Sequence, residues 1–152
     1  MVEKGTWFED ASFPALLRGA GTIYTGAVRQ ALIDSAIHDL PRNGAFVLGA
    51  IAGEGLPLSR IIGQLGISKQ AAGELVETLV TRGYLERRVD TSDRRRHTLS
   101  LTARGKRVAA VVKRAIQRVD GELEARVGAS DLARTRRTLA EIIEAMEALR
   151  VS

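Results

Sequence analysis

Apolar residues recur along this chain with two different periods, and the places where the period changes outline its elements. Phe13, Leu16, Leu17, Ala20, Ile23, Ala27, Val28, Ala31 and Leu32 fall three or four apart, which predicts a long amphipathic helix, with Ser12 and Pro14 at its start. Gly19, Gly21 and Gly26 lie within that stripe and no strand precedes them, so they read as close-packing sites rather than a nucleotide-binding glycine pattern. Beyond Pro41, the run Ala45, Phe46, Val47, Leu48 and Ile51 predicts a second, buried helix ended by Gly53-Glu54-Gly55. Two short helical patterns follow, Leu58 to Leu65 and Ser68 to Thr81, parted only by Gly66-Ile67. From Tyr84 to Val89 and from His97 to Leu101 the chain turns to β-favouring residues, with Leu99 and Leu101 on one face, around a polar, arginine-rich connection; this predicts a hairpin. Thr102 stands as the N-cap of another long helix with a stripe from Val108 through Val111, Val112, Ala115, Ile116 and Val119 to Leu123. Gly128 stops it, and a last helix after Ser130 carries Leu132, Leu139, Ile142, Ile143, Met146 and Leu149 on one side. The expected class is mainly α with a small β-hairpin wing (α+β). It is expected as a single domain over residues 1–152, without internal repeat or linker.

Residues 58 to 79 have the layout of a helix-turn-helix. That motif needs a first helix packed over a second, a small residue at the sharp turn, and apolar anchors that hold the pair at a fixed angle. Gly66 supplies the turn, and Ile61, Ile62, Leu65, Ile67, Ala72, Leu75, Val76 and Leu79 supply the anchors. Ser68 falls at the N-cap of the second helix, with Lys69 and Gln70 in its exposed first turn. Ser and Lys suit phosphate, and Gln suits a bidentate contact with adenine in the major groove. A helical hairpin serving only the core would show the same spacing, and the next segment counts against it.

That segment is Arg82-Gly83-Tyr84-Leu85-Glu86-Arg87-Arg88, then Asp90-Thr91-Ser92-Asp93-Arg94-Arg95-Arg96, then His97 to Thr102. A hairpin whose connection presents Arg94, Arg95 and Arg96 is suited to lie along a duplex and place a guanidinium in the minor groove, with Asp90 and Asp93 bracing it. Charge is segregated in the same sense. Residues 82 to 118 hold twelve basic side chains against three acidic ones, while residues 1 to 40 hold three basic against five acidic. Positive potential concentrated on one part of a molecule attracts a polyanion.

The stretch from about Leu40 to Gly105 resembles the MarR family of bacterial regulators. The resemblance rests on Leu-Gly-Ile-Ser at 65 to 68, Arg-Gly-Tyr-Leu-Glu-Arg at 82 to 87, Asp-x-x-Asp-Arg-Arg at 90 to 95 and Leu-Thr-x-x-Gly at 101 to 105. It implies a winged helix-turn-helix core at about 40–101 and dimerisation helices at about 13–36, 102–127 and 130–150, interlocked with those of a second copy. It also implies double-stranded DNA as partner, read by Ser68, Lys69, Gln70, Gly73 and Glu74 together with Arg94, Arg95 and Arg96. The family's wing arginine maps onto Arg94. A small-molecule effector, often aromatic or anionic in such regulators, is implied between the dimer helices and the winged domain, with Trp7, Phe8, Phe13, Tyr24 and Phe46 as candidate lining. Two departures stand out. Gly73-Glu74 occupies positions where many relatives have Thr-Arg, and Ser92 replaces the first Arg of the Asp-x-Arg-Asp-Arg-Arg motif. Glu74 and Glu77 make an acidic face unusual beside phosphate, although a Glu accepts from cytosine N4 in the major groove.

Composition narrows the remaining possibilities. The chain of 152 residues is 45% hydrophobic and 27% charged, typical of a globular protein. It contains no Cys, which excludes disulfides, thiolate metal sites and thiol redox sensing. His38 and His97, the only imidazoles, stand in no metal-ligand or catalytic spacing, so neither a metal, a cofactor nor an enzymatic activity is expected. No apolar run approaches the roughly 20 residues of a membrane span, and Met1 to Asp10 lacks the layout of a signal peptide; a cytoplasmic location is expected. The expected function is that of a dimeric, sequence-specific transcription regulator, a ligand-responsive repressor in type. The alternative is a winged-helix module for nonspecific DNA binding or protein contact.

Overall fold

A computed structural model of the chain describes residues 6–54, 58–89 and 97–151. The elements are α1 (Phe13–Asp34), α2 (Gly44–Glu54), α3 (Leu58–Leu65), α4 (Lys69–Thr81), β1 (Leu85–Val89), β2 (His97–Leu101), α5 (Ala103–Val127) and α6 (Ala129–Val151). The fold is mainly helical with one two-stranded antiparallel sheet, in which Leu85 pairs with Leu101 and Arg87 with Leu99. One compact unit runs to Ile116 and a second from Gln117.

In the first unit, the buried core joins α2 (Val47, Leu48), α3 (Ile61), α4 (Leu75, Leu79), the entry to the wing (Tyr84, Leu85) and the start of α5 (Val108, Val112). Leu65 and Ile67, on either side of the turn, pack against it, so these two with Ile61, Leu75 and Leu79 hold the helices together, while Ile62, also expected as an anchor, borders a surface groove. Gly66 takes φ +62° at that turn. A left-handed residue is penalised for any side chain with a Cβ, which is why Gly stands there. The end of α4 is a paired-bond glycine cap: Gly83, at φ +72°, donates its N–H to Val80 O and Tyr84 donates to Leu79 O, both at 2.9 Å. Leu79 and Tyr84, the residues joined by the longer of those loops, are fully buried.

The same cap delivers the chain to the wing, and the wing returns it to α5 at nearly the same place. Thr102 donates its backbone N–H to Tyr84 O (3.1 Å) and its hydroxyl to Gly83 O (2.6 Å), while its Oγ1 accepts from the Gly105 N–H at 3.0 Å, the predicted N-cap of α5. Gly105 lies so close to this crossing that a Cβ there would sit 2.1 Å from Tyr84 O. The family-like Leu-Thr-x-x-Gly pattern is thus a backbone crossing that needs a hydroxyl and a missing side chain.

The apolar stripes of the long helices divide. Val28 and Leu32 of α1 pack against the core of the first unit, as do Val108 and Val112 of α5. Val108 and Val112 are fully engaged there, whereas Val28 and Leu32 keep part of their surface exposed. Phe13, Leu17, Ile23 and Ile33 remain exposed, and α1 has no fully buried residue. A Cβ at Gly19, Gly21 or Gly26 would meet nothing within 4 Å, so the close packing expected of these glycines is not found among the described residues. The first helix closes at Asp34, two residues earlier than expected, because Ala36 takes φ 55° and the Ile37 N–H turns back to Leu32 O. In the second unit Gly128, at φ +85°, ends α5 as expected, and Arg136 of α6 reaches Asp120 at 2.8 Å. Helix α6 begins at Ala129, one residue earlier than expected. Among the described residues no helix is long and apolar enough to cross a membrane.

Candidate nucleic-acid interface

Helix α4 buries Ala72, Leu75, Val76 and Leu79, and this fixes which residues face outward. Lys69, Gln70, Gly73, Glu74 and Glu77 all lie on its exposed side, at the spacing that forms one stripe. Ser68 caps the helix, its Oγ accepting from the Ala71 N–H at 3.1 Å, so its hydroxyl hydrogen stays available as a donor. Gly73 opens onto empty space. The five sequence-predicted residues of the second helix are thus brought to one surface. Asp90, Asp93, Arg94, Arg95 and Arg96 lie outside the described residues.

Two contacts on this surface are not evident in the sequence. Gln70 Nε2 donates to Glu74 Oε1 at 3.1 Å, one turn further along the helix. Arg87 of β1 grips Glu77, with Nη1 3.3 Å from Oε2 and Nη2 bonded to Oε1. The guanidinium holds the Glu77 carboxyl below the usual carboxylate range, chiefly through that hydrogen bond, and Arg87 is raised in return. Between α3, α4 and β1 runs a groove of about 410 Å³ bordered by Ser59, Lys69, Gly73, Glu77 and Arg87. Ser59 and Arg87 were missed at the sequence level, since only the packing of three elements brings them beside Lys69.

Much of the basic segment is engaged within the protein. Arg88 binds Glu86, with Nε to Oε1 at 2.7 Å. Arg104 binds both carboxylate oxygens of Asp39 at 2.9 Å and the carbonyl of Arg82 at 2.6 Å, and its guanidinium lies 4.3 Å over the Tyr84 ring. Arg82 in turn donates to Asp39 O, and the Tyr84 hydroxyl donates to Asp39 Oδ1. Asp39 is consequently held below its ordinary pKa, first by the Tyr84 hydrogen bond and then by Arg104, while burial and Asp39 push Tyr84 up. This cluster ties the α1–α2 connection, the end of α4 and the start of α5. Beside it a cleft of about 440 Å³ carries Tyr84, Arg104, Arg107 and Arg114 with Ile37 and Val111. None of the aromatic residues proposed to line an effector pocket borders this cleft; Trp7, Phe8, Phe13 and Phe46 are exposed.

Residues 38–96, from within the α1–α2 connection up to the start of β2, match the model of the MarR family. Over this segment the chain is similar to the MarR family. Three solved structures with the same winged helix-turn-helix fold extend the likeness beyond the matched segment. A MarR-family transcriptional regulator from Rhodococcus sp. RHA1 is 24% identical with a TM-score of 0.63, over 85% of this chain and 91% of that one. CouR from Rhodococcus jostii RHA1, bound to p-coumaroyl-CoA, is 23% identical with a TM-score of 0.67, over 91% and 95%. MepR of S. aureus in complex with DNA is 17% identical with a TM-score of 0.67, over 89% and 96%. At these identities the likeness is one of fold. No curated protein matches the chain. In that winged helix-turn-helix fold, α4 is the second helix of the motif and β1–β2 the wing.

Proposed function

We propose that this chain is a cytoplasmic, homodimeric, sequence-specific DNA-binding transcription regulator of the MarR type, acting by binding rather than catalysis and responsive to a small ligand. The observation that carries this reading is the exposed face of α4: Ser68, Lys69, Gln70, Gly73 and Glu74 lie together on a helix whose opposite side is locked into the core. Lys69 and the Ser68 hydroxyl take phosphate, and the groove beside Ser59 and Arg87 accommodates the adjoining backbone. Arg94, Arg95 and Arg96 follow the wing, with Asp90 and Asp93 as braces. MepR in its DNA complex supports this mode for a chain of the same fold. Dimerisation uses the exposed part of the α1 stripe, Phe13, Leu17, Ile23 and Ile33, together with the apolar residues of α5 and α6 that the core leaves free.

The ligand is assigned to the cleft bearing Arg104, Arg107 and Arg114, and its chemistry is anionic. An anion there competes with Asp39 for Arg104 and so loosens the cluster that ties the α1–α2 connection to the end of α4 and the start of α5. CouR, bound to an acyl-CoA, gives a precedent of fold for a negatively charged ligand. The test is selection of bound duplexes from a random DNA library, followed by titration of the enriched site at several salt concentrations. A pseudo-palindromic site bound at nanomolar level, on the order of what specific regulators reach, is expected. Binding with no enriched sequence would favour nonspecific compaction, and no binding would favour protein contact.

A further inference from the structure

The two glutamates on the exposed side of α4 have different partners, and the difference bears on how bases are read. Glu77 has both carboxylate oxygens taken by Arg87. Among the described residues the Glu74 side chain accepts only the one hydrogen bond from Gln70, and it stands three residues closer to the N-terminus of the helix, the end that enters the groove in this class of motif. An ionised carboxylate can only accept. Glu74 therefore brings unfilled acceptor capacity to the surface that meets the base edges, whereas Glu77 brings a neutralised pair.

The Gln70 amide is set by the same bond. With one N–H committed to Glu74 Oε1, it keeps its carbonyl oxygen and one further N–H, the acceptor and donor that match N6 and N7 of adenine. For Glu74 the major groove offers a donor without an adjoining acceptor on the same base only at cytosine N4. Guanine presents N7 and O6 and thymine presents O4, all acceptors that repel a carboxylate, and adenine pairs its amine with the acceptor N7. The four residues from Gln70 to Glu74 advance about 6 Å along the helix, close to two base-pair steps. We infer that Glu74 is the residue that determines specificity in this protein: it demands a cytosine in each half-site, within two base pairs of an adenine read by the Gln70 amide that it holds in place. This rests on the DNA-binding reading above.

The carboxylate also lies near phosphates and lowers affinity for every sequence, so it gains discrimination at the expense of overall binding. Glu74→Gln reverses both effects, because an amide donates as well as accepts. The experiment runs the random-duplex selection on the full-length wild type and on Glu74→Gln, then measures each protein on its enriched site, on that site with the selected cytosine replaced, and on random DNA. Wild type is expected to enrich a half-site with an invariant C near an A. In Glu74→Gln the cytosine preference falls about tenfold or more, the range of a single well-made base contact, and binding to random DNA tightens, while Glu77→Gln changes affinity and keeps the cytosine. Replacing the selected cytosine by 2-pyrimidinone, which lacks only the 4-amino group, weakens wild type and leaves Glu74→Gln little changed, isolating the pair as a double-mutant cycle does. Identical enriched sites for wild type and Glu74→Gln would overturn this assignment and leave the regulator reading standing. Failure of both proteins to enrich any site would overturn the regulator reading and this inference with it.

Discussion

Arg87, on β1, holds Glu77, on α4 ten residues earlier, through both of its terminal nitrogens. The pair spans the two parts of the protein that contact DNA in the proposed mode, and it is formed on an open surface, both side chains being about half exposed (46% and 59%). Exposed ion pairs contribute little to stability, so its consequence lies in where the positive charge is available.

Releasing Arg87 should therefore strengthen binding. Glu77→Gln leaves a free guanidinium beside the groove that also carries Lys69 and Ser59. Operator affinity at low salt is expected to rise, and the slope of log affinity against log salt to steepen by about 0.9, the value of one added phosphate contact. Fluorescence anisotropy across a salt series reads both. An unchanged slope would show that Arg87 does not reach phosphate once freed.

The Asp39 cluster is expected to make stability fall in acid. Asp39 titrates below its ordinary value of 3.8 in the folded chain, so the unfolded chain takes up the proton first. Its contribution is complete well above that value and is lost as pH falls through the lowered one. Urea unfolding of wild type and Asp39→Asn should differ at neutral pH and converge as pH falls below 3.8. A constant gap across that range would mean that the carboxylate charge is not what holds Tyr84 and Arg104.

Gly105 and Gly73 should respond oppositely to alanine. At Gly105 the new methyl would meet the backbone carbonyl of Tyr84, which cannot move aside without opening the wing crossing. A loss of about 1–3 kcal/mol or more is expected from such overpacking. At Gly73 nothing lies within 4 Å, and replacing Gly by Ala inside a helix should add about 0.5–1 kcal/mol. Chemical denaturation of the two variants checks both signs.

The exposed apolar side of α1 should prove to be the dimer contact. Leu17 and Ile23 are 42% and 57% exposed in the chain alone, and the glycines beside them leave room for close approach. Leu17→Glu with Ile23→Glu is expected to halve the mass measured by light scattering, with helical content retained and operator affinity reduced by at least tenfold, since one half-site contributes far less than two. A dimer of unchanged mass would place the interface elsewhere.

The sequence by itself determined most of the elements, because local physics sets them. Helical periodicity, Pro14 at a helix start, Ser68 and Thr102 at N-caps, and Gly66 and Gly128 at turns placed six helices and the hairpin to within a residue or two. It also determined which face of α4 is apolar, and hence that Lys69, Gln70 and Glu74 share the other face. Tertiary structure decided the pairings, because partners such as Asp39 and Arg104, 65 positions apart, leave no local trace. A count of twelve basic residues between 82 and 118 treats all of them as free. The fold commits Arg82, Arg87, Arg88 and Arg104 to internal partners and divides the stripes of α1 and α5 between the chain's own core and an exposed surface. Whether a charge is available to DNA depends on what stands across from it, and that is settled only when distant elements pack together.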